Sequence, residues 1–389
     1  MKKLVAIPGA LLFLTSCALV RGGLFDSDRY GDTAYYGHYA HEMASGRWPY
    51  RDFFDEYPVL AQPLFFVVRL LPGPFISSFK WTMALSGAAA LVLMVAAMRG
   101  PLHRLVAAAA VVAASPLLVG PVFLNTYDLF PALLTVAAVL AFVRGRERGA
   151  YVLLALAVAA KVFPLVLLPL ALVGTWERGG REAVRRALAW FAGVLVLVHL
   201  PFAVMGPGGL RYSYWLQLRR GLEVESLGGA VLLVLDRVGV YHATLRDEPP
   251  GSKNVVGGLA DAVGIATSLA LVAAVVLVVW WYVRGHRDLL LAASAAVAGF
   301  VAFNKVFSPQ YVAWLVPLVP AAGIEAAALA AGVLGLTHVV FDRFHAPGSG
   351  TEHYKAVLVW WVVARDALVV ALYVLLLSRL RRRAPTRKT

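Results

Sequence analysis

Seven of the chain's 22 acidic residues, Asp26, Asp28, Asp32, Glu42, Asp52, Asp55 and Glu56, fall between Arg21 and Leu60, interleaved with tyrosines. A carboxylate there can take the proton of a hydroxyl and act as a general base. Further polar residues recur at the ends of apolar runs. Asn125 and Asp128 stand in NTYDLFPALL, Arg219, Arg220 and Glu225 in LRRGLEVESL, and Lys305, Gln310 and Tyr311 in NKVFSPQYVAWL, while Lys161 and Arg365 read as deeper. Arginine holds a phosphate through paired hydrogen bonds and lysine holds it as a point charge. Carboxylates and cations in one cavity suit group transfer from a lipid-linked phosphate to an alcohol. Other chemistries lack their parts, since the chain has no HExxH, no GxxxxGK[ST] loop and no GxSxG elbow. His38 and His41 share a face if that stretch is helical, but two histidines make a weak metal pair at best. The single cysteine, Cys17, excludes an internal disulfide and every multi-cysteine metal motif. No cofactor is identified, and a divalent metal is not indicated.

The elements that position these residues are membrane helices. The 389 residues are 60% hydrophobic and only 15% charged, against about 25% charged in an ordinary soluble domain, and the mean hydropathy is +0.73. Apolar runs long enough for a hydrocarbon core of about 30 Å recur, as in Phe75 to Met98, Leu105 to Leu124, Ala187 to Met205, Leu259 to Val283 and Val357 to Leu377. The fold class is therefore an all-α polytopic membrane protein, a single domain over 1–389. The net charge of +14 sits in short clusters between those runs. That pattern orients loops during insertion and does not make the continuous basic surface that nucleic acid needs.

Lys2 and Lys3 predict a cytoplasmic N-terminus, which puts the acidic first loop, 21–58, outside. The later basic clusters then fall inside, the basic tail 379–389 is cytoplasmic, and a second outer loop spans 206–258. Leu14 to Cys17 imitates a lipoprotein cleavage box, yet no soluble domain follows, so an uncleaved span from Leu4 to Val20 is expected. Ala150 to Val173 has basic clusters on both flanks and carries Lys161 and Pro164 at membrane depth. Two half-helices that dip in and return fit it better than one crossing. About ten transmembrane helices plus this re-entrant hairpin result. Leu227 to Leu235 reads as an interfacial helix, and no internal repeat is evident. The bias toward Ala, Val, Leu, Gly and Arg suggests a GC-rich bacterial genome, and the expected location is accordingly a bacterial plasma membrane.

Several patches together resemble glycosyltransferase family 87 of the integral-membrane GT-C superfamily, the polyprenyl-phosphate-mannose-dependent mannosyltransferase group. GDTAYYGHYAHEMASGRWPYRDFFDEYPVL is similar to the family's first outer loop, with an Asp followed by a tyrosine, then G-x-x-P-Y and E-Y-P. NTYDLFPALL, AVAAKVFPLVLLPL, LRRGLEVESLGGAV, NKVFSPQYVAWLVPL and the pair Arg365 and Asp366 follow in family order. The resemblance implies the GT-C fold and an inverting hexosyltransferase that moves a sugar, with mannose the implied one, from a polyprenyl-phosphate donor to a lipid-linked or glycan acceptor on the outer face. It also implies a catalytic base in the first loop, for which Asp32, with Tyr36 in a D-x-x-x-Y arrangement, matches best and Asp28 is the rival. After the Ser308-Pro309 pair the chain reads Gln310-Tyr311-Val312-Ala313-Trp314, where one branch of the family carries histidines, so the acceptor stays open.

Each candidate has a second reading. Asp32 could simply cap the helix that follows it. Asp128 could cap its own span or serve the site. Glu56 and Tyr57 could contact sugar or acceptor, as could Glu225, Gln310, Tyr311 and Asn125, or Glu56 could only tie its loop down. Lys305 could hold the donor phosphate or snorkel to head groups. Arg219 and Arg220 could steer an anionic lipid or anchor at the interface. Lys161 could reach a phosphate or form an internal ion pair. From another class, a polyprenyl- or glycolipid transporter would show pseudo-symmetric halves with paired broken helices, whereas one broken segment is evident here. An assembly subunit of a glycan machine is a third reading.

Overall fold

The computed structural model describes residues 2–25, 31–248, 252–285, 287–344 and 354–382. The rival base, Asp28, lies outside the described residues. Among them, seven helical stretches have the length and hydropathy to cross a bilayer: Lys2–Leu24, Phe75–Ala97, Leu102–Val119, Phe163–Met205, Gly258–Arg284, Ile324–Phe344 and Tyr354–Arg382. Shorter apolar helices, Ala61–Leu70, Leu129–Val143 and Leu289–Phe303, lie between them. The helical membrane class expected from hydropathy is the one observed. The chain divides into two compact units, Met1–Arg219 and Arg220–Thr389.

In the first unit, α1 (Lys2–Leu19) leads into the first polar loop, which carries α2 (Thr33–Ala44) and α3 (Ala61–Leu70). Helices α4 (Phe75–Ala97), α5 (Leu102–Val119), the short α6 (Val122–Asn125), α7 (Leu129–Val143) and α8 (Glu147–Ala160) follow. Small residues let α1 seat against α4: a Cβ on Gly87 would come within 2.3 Å of the Phe13 ring. Helix α8 stops where Lys161 turns extended, and a 3-10 turn over Phe163–Leu167 leads into α9 (Leu168–Met205). The two arms run antiparallel, because the Tyr151 hydroxyl meets Thr175 Oγ1 at 2.9 Å and Arg178 donates to Glu147 at 2.6 Å. This is the broken hairpin that the flanking charges predict, with Lys161 at its tip. Helix α9 breaks at Gly179 and Gly180, the latter at φ +58°, and then continues as a largely exposed apolar span. Gly206 ends it, and α10 (Pro207–Leu218) closes the unit.

The second unit adds what an all-helical reading omits. Strands β1 (Leu222–Glu223), β2 (Thr244–Glu248) and β3 (Ser252–Val256) form an antiparallel sheet in the order β1-β3-β2, with Glu223 opposite Asn254 and Arg246 opposite Asn254 on the other side. Helix α11 (Leu227–Arg237) is capped by the Ser226 hydroxyl, which accepts from Gly229 N at 3.2 Å. It covers the interfacial stretch expected from sequence, but its Leu232 and Leu233 are buried in a core with Leu222, Val255, Tyr354, Leu358 and Val362. The run is therefore packed on protein along that side. Helices α12 (Gly258–Arg284), α13 (Leu289–Phe303), α14 (Val312–Leu315), α15 (Ile324–Phe344) and α16 (Val359–Arg382) complete it. From the basic tail, Arg379 bonds Ala322 O at 2.9 Å and pairs with Glu325, and Arg381 lies over Trp281 at 5.5 Å.

Candidate active site

Asp32 occupies the position before the first residue of α2, yet its carboxylate makes no cap hydrogen bond. Instead Tyr36, one turn later, donates its hydroxyl to Asp32 Oδ2 at 3.1 Å, and Tyr57 lies beside Tyr36, near enough to favour the charged carboxylate. The backbone holds the residue from the other side, with Asp32 N donating to Asn125 O at 3.1 Å. That contact demands glycine at 31. Its φ is +127°, and a Cβ there would sit 2.4 Å from Asn125 Cβ. Asp32 itself stays partly exposed.

Around it is a cage of rings. Tyr36 stacks on Phe65 at 4.4 Å and meets Tyr57 edge-on at 5.1 Å and Tyr127 at 5.8 Å. Tyr127 is fully buried and donates its hydroxyl to Ala160 O at 3.0 Å, which fixes the tip of the hairpin to the start of α7. Lys161 emerges from that tip, lies 4.8 Å over the Tyr127 ring and pairs with Asp128 at 2.7 Å. Asp128 makes no cap bond to α7 either. The first unit thus brings Asp32, Tyr36, Tyr57, Asn125, Asp128 and Lys161 into one cluster. Lys161, at the turn between α8 and α9, thus meets Asp128 at the start of α7.

The cluster sets the acidity of Asp32. Loss of water around the carboxylate raises its pKa above the usual 3.8, and the nearby Asp128 charge adds to this. Lys161 and the two tyrosine hydroxyls work in the opposite direction, without cancelling the effect of burial. Such a carboxylate is more basic than a solvated aspartate, while the nearby Lys161 charge and the Tyr36 hydrogen bond keep the charged form available.

Glu56 is partly exposed, and its carbonyl accepts from Gln217 Nε2 of α10 at 3.3 Å. The loop around it is clamped by residues that spacing did not single out. Asp55 is fully buried and accepts from Tyr57 N at 2.8 Å, and burial pushes its pKa well above the carboxylate range. Tyr50 adopts φ +64° and donates to Tyr57 O. Its backbone is approached so closely by α10 that a Cβ on Gly209 would lie 1.9 Å from Tyr50 O. Arg219, just after α10, lies over the Trp215 ring at 4.5 Å. His38 and His41 are exposed on α2, and among the described residues no three potential metal ligands gather.

The other candidates belong to the second unit. Arg365 is fully buried on α16 and donates to Glu225 Oε2 at 2.8 Å and to the Glu225 carbonyl, with Asp366 at 3.0 Å and the Phe307 ring 3.8 Å below. Its guanidinium therefore reaches the loop that holds Glu225. Engagement by Arg365 favours a holding role for Glu225 over a sugar contact. Glu223 accepts from Phe307 N at 2.7 Å, its own N–H donates to Lys305 O at 3.0 Å, and Arg220 lies 3.5 Å from its carboxylate. Burial raises the pKa of Glu223 and Glu225, against the pull of Arg220 and Arg365 respectively. Burial also lowers that of Lys305, and the positive charge of Arg220 lowers it further. Gln310 is partly exposed, and Tyr311 is buried and stacked on Trp314 at 4.0 Å.

Comparison with known proteins gives a family match: the model of Glycosyltransferase family 87 fits residues 54–309, more than half of the chain. Asp32 and Tyr36 precede that stretch, while Tyr57, Asn125, Asp128, Lys161, Glu225 and Lys305 lie within it. Curated proteins give no match. Among solved structures, the chain is similar to ArnT from Cupriavidus metallidurans bound to undecaprenyl phosphate, at 15% identity and a TM-score of 0.49, covering 98% of this chain and 77% of that one. The apo state of the same protein gives 15% identity and a TM-score of 0.48, covering 96% and 77%.

Proposed function

Because the chain belongs to glycosyltransferase family 87, we propose that this membrane glycosyltransferase moves a sugar from polyprenyl phosphate to a hydroxyl of a lipid-linked or glycan acceptor, with Asp32 as general base. The observation that carries the reading is the Asp32 carboxylate. The residue leads a helix without capping it and is only partly covered, and its carboxylate accepts from Tyr36, with Tyr57 alongside.

In the proposed step the acceptor hydroxyl gives its proton to Asp32. Its oxygen bonds to the anomeric carbon from the face opposite the phosphate, and the sugar–phosphate C–O bond breaks with its electron pair leaving on the phosphate. Attack from behind inverts the anomeric centre. Tyr36 holds the base in line, and Tyr57 and the Lys161–Asp128 pair set the field around it. Mannose as donor sugar is what the resemblance to the family implies, and the outer face is inferred from the position of Lys2 and Lys3.

Purified protein in vesicles, given labelled polyprenyl-phosphate mannose and an extract of membrane glycolipids, tests this. Transfer of label to a new glycolipid is expected. Label that crosses the bilayer with no new bond would instead make the protein a transporter, and the absence of both transfer and movement would overturn the transferase reading in favour of an assembly subunit.

A further inference from the structure

Helix α10 presents a face whose chemistry the reaction centre does not use. The apolar end of α9, with Leu197, Leu200 and Val204 exposed, leads through Gly206 directly into α10. The hydrocarbon boundary therefore falls at this turn, and α10 begins at head-group level. Arg211, Tyr212, Trp215, Leu218 and Arg219 recur at helical spacing and are all exposed, Tyr212 by 50%, Trp215 by 44% and Leu218 by 78%. Tyr212 and Trp215 stack at 5.7 Å with their planes 24° apart, which makes a flat platform, and the Arg219 guanidinium rides over Trp215. Neither Arg211 nor Arg219 pairs with a carboxylate among the described residues.

This face is held rigidly. Gly206 and Gly209 approach the Tyr50 backbone too closely for any side chain, and Tyr214 bonds His199 Nε2 of α9 at 2.8 Å. It also touches the catalytic loop. Tyr212 meets Phe54 edge-on at 5.6 Å, and Gln217 holds the carbonyl of Glu56, the residue before Tyr57.

We propose that the outward face of α10 captures the head group of the polyprenyl-phosphate donor: Arg219 takes the phosphate, Arg211 adds positive potential, and the Tyr212–Trp215 platform seats the sugar ring while the tail stays in the hydrocarbon beside α9. Two arginines with no carboxylate partner among the described residues complement a phosphate, and the stacked aromatics complement the apolar face of a sugar. The assignment rests on the transferase reading above and names where its donor first binds.

The test uses the full chain in nanodiscs of neutral phosphatidylcholine, titrated with sugar-free polyprenyl phosphate, together with the donor KM in the transfer assay. R211Q/R219Q is expected to raise both Kd and donor KM about tenfold, the loss of one charge-assisted hydrogen bond. The single variant Arg219→Gln carries most of that, and a control at two exposed arginines of the second unit, R237Q/R246Q, leaves Kd unchanged. A normal donor KM in R211Q/R219Q, with wild-type transfer intact, overturns the capture surface alone. Displacement of polyprenyl phosphate by equimolar phosphatidylglycerol also overturns it, since the face would then serve bulk anionic lipid. Arginine-dependent binding by a wild-type protein that transfers no sugar would retain the surface and defeat the transferase reading.

Discussion

Gly31→Ala tests how Asp32 is placed without touching any ionisable group. A Cβ at 31 would lie 2.4 Å from Asn125 Cβ, whereas ordinary contact begins near 3.4 Å, so the loop must retreat by about 1 Å. The φ of +127° adds a conformational cost of about 1–3 kcal/mol. Asp32 is the next residue and its N–H is bonded to Asn125 O, so the retreat moves the carboxylate and lengthens the 3.1 Å bond. Misplacement of a reacting group by about 1 Å costs on the order of 10²-fold in rate. Gly73→Ala is the control. Gly73 has φ +95° but nothing within 4 Å of its added Cβ, which gives strain without collision. Initial rates at saturating donor and thermal unfolding in detergent are measured for both. The expected result is a loss of turnover of about 10²-fold in Gly31→Ala, and lowered stability with near-normal turnover in Gly73→Ala. Turnover of Gly31→Ala within twofold of wild type would refute the idea that the Gly31–Asn125 contact positions the base.

The remaining predictions concern charge. The base is active when ionised, so rate is lost as pH falls through the raised pKa of Asp32, at a pH above the usual 3.8. Lys161→Met removes a charge that lowers this pKa and should move the acid limb of the rate profile upward. Asp128→Asn removes one that raises it and should move the limb downward; shifts in the same direction would contradict the field assigned to the pair. Asp55 holds a proton in the folded state that the unfolded chain releases, so stability falls as pH rises from the ordinary Asp value toward the raised one. Asp55→Asn should lose part of that slope in denaturant titrations at several pH values and leave turnover near wild type. Arg365→Met leaves Glu225 and Asp366 buried without their cation and should cost about 3–5 kcal/mol in unfolding measurements. A cost under about 1 kcal/mol would mean that the network is solvated.

What was legible in the sequence followed from periodic or segregated signals. Apolar runs gave the spans, and basic residues on both flanks of Ala150 to Val173 gave the broken hairpin. The DxxxY spacing placed Tyr36 one helical turn from Asp32, where its hydroxyl is found. The sheet was not legible because its strands are two to five residues long and β2, Thr-Leu-Arg-Asp-Glu, has no apolar alternation. Contacts across long separations left no local mark either. Nothing near Glu225 announces Arg365, 140 residues away, and nothing near Gly31 announces Asn125. Asp55 and Glu56 are adjacent and chemically alike, so only the structure separates the buried acid from the partly exposed one. Tyr127 had a weaker signal, as the aromatic before Asp128 in NTYDLF, and its place between Lys161 and the cage emerged only from packing.

The most direct measurement compares sugar transfer by wild type and Asp32→Asn, purified in parallel and matched for thermal unfolding. Asparagine keeps the shape and can still accept from Tyr36, but it cannot take a proton. The account predicts turnover lower by about 10²–10⁴-fold with the fold intact. Turnover within a few-fold of wild type would contradict it and move the base elsewhere in the first loop.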